Sequence, residues 1–266
     1  MAQIKETLLD LNPWWKEKFN IDFKERETYS KIRKFMQYRQ IIALMGLRRV
    51  GKTTLMLKII KDSIENGFEP RNIIYFSFDE FKEVEIKEII KSFELINEKN
   101  INNGKYLLLL DEIQKLNNWE NKLKSIYDIH KNIKIIISGS ESLFIKRKST
   151  ETLAGRIYQF RIETLTFKEF LKFKGIELKP INLYEKELRK LFNEFIFTLG
   201  FPELVGINEK LAIKKYIRES IIEKVIYSDI QKLFDIKDIS KVESLLNIIV
   251  EHPGQILELS ELANEL

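Results

Sequence analysis

Residues 41–54 read IIALMGLRRVGKTT, and this stretch says more about the fold than any other part of the chain. Its first five residues form an uninterrupted apolar run that ends at Gly46, a pattern typical of a buried parallel strand. The next eight residues match the pattern G-x-x-x-x-G-K-[ST], and from Lys52 onward the apolar residues follow helical spacing. The pattern binds phosphate when it lies between a strand and a helix. The sequence therefore predicts a phosphate-binding loop at the carboxyl end of a parallel strand.

The residue types of this loop indicate its chemistry. Glycine lets the backbone wrap closely around phosphate oxygens, in conformations that a side chain would obstruct. The loop amides and the helix amino terminus then present partial positive charge to the phosphates. We expect Lys52 to reach the β- and γ-phosphates and the Thr53 hydroxyl to ligate Mg²⁺. The alternative is a glycine-punctuated turn without a ligand. The predicted nucleotide-binding residues are Gly46, Leu47, Arg48, Arg49, Val50, Gly51, Lys52, Thr53 and Thr54.

A second motif follows the apolar run at 107–110, which leads into Asp111 and Glu112. Open α/β sheets bind ligands at the carboxyl ends of their strands, so we expect Asp111 to bind or orient Mg²⁺ and its waters. A second carboxylate, Glu112, can polarise a water in line with the γ-phosphate, which indicates hydrolysis as well as binding. The alternative is an acidic cap on the next helix, because acidic residues favour helix amino termini.

Short apolar runs alternate with amphipathic stretches up to about residue 165, which predicts an α/β doubly wound sheet. Strands are expected at 41–45, 72–78, 106–110, 133–137 and 157–162, with helices at 52–65, 85–93 and 119–129. Beyond residue 166 the apolar spacing is helical, at 167–173, 183–197 and 210–234. We expect four segments: an amino-terminal segment at 1–28, an ATPase core at 29–165, a helical lid at 166–236 and a partial winged-helix-like region at 237–266.

Two further inferences concern the nucleotide. In proteins that combine such a loop with a catalytic glutamate, a third strand lies in the sheet between the strands of the two motifs. This strand presents a polar residue to the γ-phosphate. Ser138 is our first candidate for this sensor and Ser140 the second; the alternative is a simple strand-ending turn. The base is expected to be adenine, because guanine-specific loops of this kind use Asn-Lys-x-Asp. The nearest string, at 121–124, has Lys124 in place of the aspartate and precedes its strand.

Composition excludes several classes of site. The 266 residues contain no cysteine and two histidines, so we expect no disulfides, no thiolate metal site and no zinc site. No apolar stretch reaches the length of a membrane span, and the first ten residues do not resemble a signal peptide. We therefore expect a cytoplasmic protein that does not contact membranes. The net charge of +5 permits contact with nucleic acid without requiring it.

Eight motifs occur in an order that is known from one family. They are NPWW at 12–15, the loop at 46–54, DEIQ at 111–114, WE at 119–120, SGS at 138–140, LAGR at 153–156, LTFKEF at 165–170 and GFPE at 200–203. In this order the chain resembles the archaeal and bacterial AAA-type ATPases that are related to the STAND class of signalling NTPases. It is also similar to relatives that carry a domain of unknown function after the ATPase.

The resemblance implies Mg-ATP as ligand and a sheet with strand order 5-1-4-3-2, in which Ser138 lies beside Gly51 and Asp111. It also implies that Arg156 faces a γ-phosphate as an arginine finger, in cis or from a neighbouring subunit of an oligomer. A fixed positive charge suits the charge that develops on the phosphoryl oxygens. The string GFP at 200–202 resembles the glycine-x-proline element with which a helical lid senses nucleotide. Without the resemblance, Arg156 is an ordinary surface or ion-pair arginine, and 200–202 is a turn before a helix.

Two pairs of residues have two interpretations each. Arg48 and Arg49 either contact nucleotide or a partner, or are ordinary surface arginines. Trp14 and Trp15 either stack near the adenine or anchor the core, and two tryptophans after a proline are more often packing anchors.

The last thirty residues resemble the opening of a winged helix-turn-helix, with a helix at 239–250, a breaker at 252–254 and a second helix at 260–266. The alternative is a terminal helical hairpin that packs on the lid. The chain reaches no recognition helix, so we expect DNA binding to be weak, salt-sensitive and without sequence preference. The candidate DNA contacts are Lys146, Arg147 and Lys148, a run that is otherwise a solvated loop.

Two functions compete on this basis. One is an ATPase that couples Mg-ATP turnover to a conformational change in the helical and carboxyl-terminal regions. The other is a slow ATP-operated switch that regulates a protein or DNA partner. A scaffold without nucleotide is a distant third.

Overall fold

The structure, a computed structural model, describes residues 2–79, 81, 84–140, 151–177, 181–234, 236–256 and 258–265. They form two compact units, one that ends at Asn208 and one that starts at Glu209. This boundary lies later than the change of sequence pattern near residue 165, because the segment that follows packs within the first unit. Glu169 pairs with Arg26, Oε1 to Nε at 3.0 Å, and the backbone at residue 165 bonds to that of Gly200.

The first unit is built on a five-stranded sheet in which every neighbouring pair is parallel. The strands are β1 (Ile41–Met45), β2 (Ile73–Ser77), β3 (Tyr106–Asp111), β4 (Ile133–Gly139) and β5 (Ile157–Arg161). Their spatial order is β2-β3-β4-β1-β5, which confirms both the α/β class and the order 5-1-4-3-2. In the register, Leu44 of β1 lies opposite Ser138 of β4, and Met45 lies opposite Arg161 of β5.

Helices connect and flank these strands. They are α1 (Ala2–Leu11), α2 (Glu27–Phe35), α3 (Lys52–Glu65), α4 (Ile86–Asn97), α5 (Trp119–Ile129), α6 (Phe167–Phe173) and α7 (Glu185–Thr198). Short 3-10 turns lie at Pro13–Trp15, Pro70–Asn72, Ile113–Lys115, Ile181–Tyr184 and Pro202–Leu204.

The core lies on both faces of the sheet. β3 is buried along its whole length, and Ile41, Ile42 and Leu44 of β1 have no exposed surface. Burial of one such side chain stabilises the fold by about 1.5–3 kcal/mol. Strands that are covered on both faces are therefore continuous apolar runs, and polar side chains are left for the strand ends.

The amino-terminal segment packs along β2, an edge strand. The side chain of Asn12 pairs with the Tyr75 backbone, since Nδ2 donates to the carbonyl at 2.9 Å and Oδ1 accepts from the amide at 2.7 Å. The Nε1 atoms of Trp14 and Trp15 donate to the carbonyl of Ile73, at 3.2 and 2.7 Å, and both rings are buried. Ile73 begins β2, so the tryptophans lie at the amino edge of the sheet. The packing interpretation is confirmed, and stacking near a nucleotide at the carboxyl edge is wrong.

The second unit is helical. It contains α8 (Lys210–Tyr216), α9 (Gln231–Phe234), α10 (Ile239–Glu251) and α11 (Leu259–Glu265), with π-helical segments at Ile217–Ile222 and Val225–Ile230. The sequence predicts a helix at 210–234 and does not predict the π-helical segments, because they differ from an α-helix in hydrogen bonding rather than in composition. Within the described ranges of both units, no helix has the length and apolar character that crossing a membrane requires.

Candidate active site

Three predicted motifs meet at the carboxyl edge of the sheet. The loop at 46–54 follows β1, Asp111 is the last residue of β3, and Ser138 lies near the end of β4, between those two strands. The sheet order thus brings three distant parts of the sequence together at the edge where parallel sheets bind ligands.

The loop backbone requires glycine at two points. Gly51 has a φ of 96°, in the left-handed region that favours glycine. At Gly46 a Cβ atom would lie 2.2 Å from the carbonyl oxygen of Ile162, so a side chain does not fit. Arg49 also has a positive φ, 63°, which costs a non-glycine residue about 1 kcal/mol. A loop of this kind that leads directly into the amino terminus of a helix is the backbone arrangement that binds phosphate.

Lys52, the first residue of α3, is buried within this loop, with 5% of its side chain exposed. Its Nζ donates to the carbonyls of Gly46 and Leu47, at 3.1 and 2.9 Å. The Oε1 atom of Glu112 lies 4.0 Å from the same Nζ. The loop therefore encloses a cation that faces the second carboxylate of the DEIQ motif.

Asp111 accepts hydrogen bonds from four groups. Its Oδ2 accepts from Thr53 Oγ1 at 2.6 Å and from the Tyr75 hydroxyl at 2.9 Å. Its Oδ1 accepts from the Ser138 hydroxyl and, at 3.1 Å, from the Glu112 amide. Burial and the neighbouring Asp111 raise the pKa of Tyr75 well above its ordinary value, so the hydroxyl keeps its proton and remains a donor. Asp111 is thereby fixed beside Thr53, the residue predicted to share Mg²⁺ with it.

Glu112 has a strained backbone, with φ 53° and ψ 42° in the left-handed region. Non-glycine residues in such conformations are concentrated at functional sites. The side chain is 14% exposed, and its Oε2 accepts from Gln114 Nε2 at 2.5 Å. Glu112 directly precedes the 3-10 turn Ile113–Lys115, yet its side chain makes no capping hydrogen bond with the described residues of that turn. The helix-cap alternative therefore does not describe this carboxylate.

Ser138 lies beside the two carboxylates at the end of β3. It is fully buried, and its hydroxyl donates to Asp111 and accepts from the Glu112 amide at 3.2 Å. This hydroxyl holds the end of β3, and its role as a γ-phosphate sensor stays a prediction. Ser140 lies one residue beyond β4 and is also buried, and its role as a sensor stays a prediction.

Arg156 lies at the amino ends of the parallel strands, opposite the carboxyl edge that holds the loop. It immediately precedes β5, and its carbonyl accepts from the amide of Ile41, the first residue of β1, at 2.8 Å. The loop at 46–54 follows the far end of β1, so a strand length of roughly 16 Å separates them. The Arg156 guanidinium pairs instead with Asp128, Nε to Oδ1 at 3.0 Å. A finger that acts in cis is wrong for this structure, and one that acts in trans stays a prediction.

The GFPE element at 200–203 does reach the loop. Arg49 Nη1 donates to Glu203 Oε2 at 2.9 Å, between side chains that are 50% and 49% exposed. The element is fixed at Gly200, whose φ is 69° and whose carbonyl accepts from the Leu165 amide at 2.7 Å. This placement is what nucleotide sensing would need, and sensing itself stays a prediction.

Three further predicted contacts are Arg48, Thr54 and the basic run at 146–148. Arg48 is half-buried, and Thr54 is exposed in the first turn of α3. The basic run Lys146, Arg147 and Lys148 lies outside the described residues.

Arg26 is a loop-supporting residue that the sequence does not reveal. It is buried, and its guanidinium donates to the carbonyl of Val50 at 3.0 Å and to that of Glu163 at 2.8 Å. Its Nε donates to Glu169 Oε1 at 3.0 Å. Arg26 thus ties the loop to the segment after β5 and to α6. In the sequence it belongs to a charged run at 24–27, and its partners are all distant along the chain.

Comparison with known families assigns the core. The family model described as an AAA domain matches residues 38–171, half of the chain. The chain belongs to this AAA domain family. A second model, described as a domain of unknown function (DUF8612), matches residues 189–266. The AAA domain match contains the loop, Asp111 and Glu112, whereas Arg26 and Glu203 lie outside it. Membership of the AAA family suggests nucleotide binding and hydrolysis.

Relatives of this AAA domain protein are longer than the chain. An uncharacterized protein of Methanocaldococcus jannaschii is 32% identical over 235 residues, which cover 85% of this chain and 50% of the relative. An uncharacterized protein of Haemophilus influenzae is 28% identical over 245 residues, covering 91% of this chain and 59% of the relative. The chain thus spans about half to three fifths of these relatives. The solved structure of C. elegans PCH-2 covers 71% of this chain and 46% of its own, with 13% identity and a TM-score of 0.39, a likeness too weak to carry an argument.

Proposed function

We propose that this AAA domain protein binds Mg-ATP and hydrolyses it to ADP and phosphate. The supporting observation is that Lys52, Thr53, Asp111 and Glu112 converge around one glycine-bounded loop. Thr53 Oγ1 lies 2.6 Å from Asp111, and Lys52 Nζ lies 4.0 Å from Glu112. A turn that served folding alone would account neither for a lysine buried in the loop nor for the positive φ of Glu112.

The loop and Lys52 would bind the phosphates. The backbone amides of 46–54 supply partial positive charge, and Lys52 Nζ supplies a full one. In the structure this ammonium donates to the carbonyls of Gly46 and Leu47, so its donors already point to the inside of the loop. Phosphate oxygens that replaced these carbonyls would gain a charge-assisted hydrogen bond.

Thr53 and Asp111 fit a Mg²⁺ ion by their chemistry, because they bring a hydroxyl and a carboxylate oxygen together and Mg²⁺ prefers oxygen ligands. Both Asp111 oxygens already accept hydrogen bonds from the protein. We therefore assign Thr53 as the direct ligand and Asp111 as the group that orients the ion's waters. When bound, Mg²⁺ neutralises charge on the β- and γ-phosphates.

Glu112 would act as the general base. Its carboxylate takes a proton from the attacking water, whose oxygen forms a bond to the γ-phosphorus as the bond to the bridging oxygen breaks. ADP leaves with the bonding electron pair. Adenine remains the favoured base, since the Asn-Lys string at 121–124 lies within α5, where Lys122 pairs with Glu85 at 2.6 Å.

Nucleotide turnover is also proposed to move the helical region through the contact between Arg49 and Glu203. The pair is half exposed, and an ion pair of that kind contributes at most about 1 kcal/mol, so a phosphate that competes for Arg49 could break it. Residues 200–203 would then act as the sensor of a STAND-like lid. The same contact fits the alternative function, a slow ATP-operated switch on a protein or DNA partner. A turnover far below about 1 s⁻¹ would favour the switch.

Steady-state phosphate release tests the proposal. We expect release from ATP with Mg²⁺, no release with excess EDTA, and loss of release in Lys52→Ala while thermal unfolding shows a folded chain. Turnover by Lys52→Ala at the wild-type rate under saturating ATP would contradict the phosphate site. Faster release from GTP than from ATP would overturn the choice of base alone. Stimulation by duplex DNA would favour the switch over the ATPase.

A further inference from the structure

The DEIQ motif contains one polar residue for which the proposed reaction has no role, Gln114. It lies in the 3-10 turn directly after Glu112, and its Nε2 donates to Glu112 Oε2 at 2.5 Å. A hydrogen bond to a carboxylate is among the stronger kinds in proteins. The contact also fixes the orientation of the amide, because the reversed amide would place two oxygen atoms against each other.

The other end of the same amide is not paired. Gln114 Oε1 is inaccessible to solvent and accepts no hydrogen bond from any residue that the structure describes. A buried acceptor without a partner destabilises a fold, whereas an apolar side chain of similar shape would not. Stability therefore does not explain an amide at this position, and its contact with Glu112 does.

The surroundings of Glu112 show what that contact prevents. The other oxygen of the same carboxylate, Glu112 Oε1, lies 4.0 Å from Lys52 Nζ, which is longer than the roughly 2.8 Å of a charge-assisted hydrogen bond. Without the hydrogen bond from Gln114, the Glu112 carboxylate would move into direct contact with the Lys52 ammonium. In a tight ion pair of that kind, the Glu112 carboxylate would no longer be free to accept a proton from water. The Lys52 ammonium would no longer be free to bind the phosphates.

We propose that Gln114 is a positioning residue that holds the Glu112 carboxylate away from Lys52 and oriented for its task as base. This inference rests on the proposed function of Glu112. Gln114 acts through Glu112 alone, so its contribution to turnover should disappear when Glu112 can no longer take a proton.

The test replaces the amide by an apolar side chain of similar length, in Gln114→Met. We expect kcat to fall about 10- to 100-fold, the range that corresponds to one hydrogen bond to a charged group, with KM for ATP changed less than twofold. The unfolding midpoint should stay equal or rise, since the unpaired carbonyl is gone. In the Glu112→Gln background the same change should lower kcat no further, because the two residues act as one unit.

Ser92→Ala is the matched control. Ser92 Oγ on α4 is also buried without a partner among the described residues, and Ser92 lies outside the site. Its removal should leave the unfolding midpoint equal or higher and kcat unchanged. Gln114→Leu, a second side chain without an amide, should repeat the loss of kcat if the methionine variant does not fold.

Three results would overturn the inference. One is an unchanged kcat in a folded Gln114→Met or Gln114→Leu variant. Another is a fall in kcat as large in the Glu112→Gln background as in the wild type. The third is wild-type turnover by Glu112→Gln alone, which would also end the proposed role of Glu112. The first two results leave that role intact, so the two failures are distinguishable.

Discussion

At the end of β3, two carboxylates that are adjacent in the sequence are held by different groups. Asp111 is surrounded by the donors Thr53, Tyr75 and Ser138, whereas Glu112 faces Lys52 and Gln114. The left-handed backbone at Glu112 ends the strand and separates the two side chains. The firmly held carboxylate of Asp111 suits a metal site. The Glu112 carboxylate, which lies beside a cation and a single amide, suits proton transfer, so the geometry favours a distinct role for each.

Tyr75→Phe tests the support of Asp111. The change keeps the ring and removes one donor from Asp111 Oδ2. Because one hydrogen bond contributes about 1 kcal/mol, we expect the Mg²⁺ concentration for half-maximal turnover to rise by about three- to tenfold. A Mg²⁺ titration of phosphate release at saturating ATP measures it.

Tyr29→Phe is the control for that experiment. The Tyr29 hydroxyl also donates to a carboxylate, Asp62, which lies toward the other end of α3 from the loop. Tyr29→Phe should lose about as much stability as Tyr75→Phe, while the Mg²⁺ dependence of its phosphate release stays unchanged. Identical titration curves for Tyr75→Phe and the wild type would contradict the assignment of Tyr75.

The sequence predicts site residues where the motif is local. The loop, Asp111 and Glu112 follow apolar runs directly, so their place at the carboxyl edge could be inferred. Tyr75 could not, because it lies inside an apolar strand and meets Asp111 only once β2 pairs with β3. Ser138 lies on the predicted strand, but its hydrogen bonds to Asp111 and Glu112 could not be predicted, since a strand position does not fix the direction of a hydroxyl.

At the scale of elements, one carboxylate joins the start of α6 to the loop. Glu169 Oε2 accepts from the Thr166 amide at 3.0 Å and completes a capping box with the Thr166 hydroxyl. Its Oε1 accepts from Arg26 Nε at 3.0 Å and from the Glu27 amide at 2.8 Å. Arg26 in turn holds the carbonyl of Val50, so the helix start and the loop share one buried ion pair.

This pair predicts a pH dependence of stability. Burial alone would raise the pKa of Glu169, but the hydrogen bonds from Thr166 and Glu27 and the Arg26 guanidinium bring it below its ordinary value. A lowered pKa in the folded state means that the contribution is present above the ordinary carboxyl pKa, about 4.3, and is lost as pH falls through the folded value. In Glu169→Gln this contribution is absent, and the buried Arg26 loses its charge partner.

We expect Glu169→Gln to lower Tm at pH 7, since breaking a buried pair typically costs about 3–5 kcal/mol. The Tm difference from the wild type should shrink as the pH is lowered from 6 towards 3. Glu25→Gln, which removes an exposed partner of Lys172, should leave Tm unchanged throughout. A Tm difference that stayed constant over this pH range would contradict the account of Glu169.

Element boundaries were predictable where amphipathic spacing and turn residues coincide. The predicted ranges of α3, α5 and α6 match the structure, and α3 lies between Gly51 and Gly67. The hydrogen-bonding pattern inside 210–234 was not predictable, because apolar spacing alone does not separate α from π turns.

At the scale of the whole molecule, the strand order was implied by resemblance rather than by periodicity, which does not order strands in space. That order places Arg156 away from its own loop, with 32% of its side chain exposed. If Arg156 serves a nucleotide, that nucleotide belongs to a neighbouring subunit.

Activity then depends on assembly. We expect phosphate release per chain to rise with protein concentration, and a mixture of Arg156→Ala and Glu112→Gln to recover part of the activity that each lacks alone. Recovery is expected because one kind of interface in the mixture combines an intact Glu112 with an intact Arg156. Activity independent of concentration, together with no recovery on mixing, would remove Arg156 from the site.

The central claim is that one site binds Mg-ATP and that Glu112 activates the water that cleaves it. The most direct measurement is single-turnover phosphate release by Glu112→Gln at saturating Mg-ATP, with bound nucleotide determined in the same samples. The predicted result is ATP affinity within about twofold of the wild type and hydrolysis slower by about 100-fold or more, because only the activation of water is lost. Release at the wild-type rate, or a loss of binding as large as the loss of release, would contradict it.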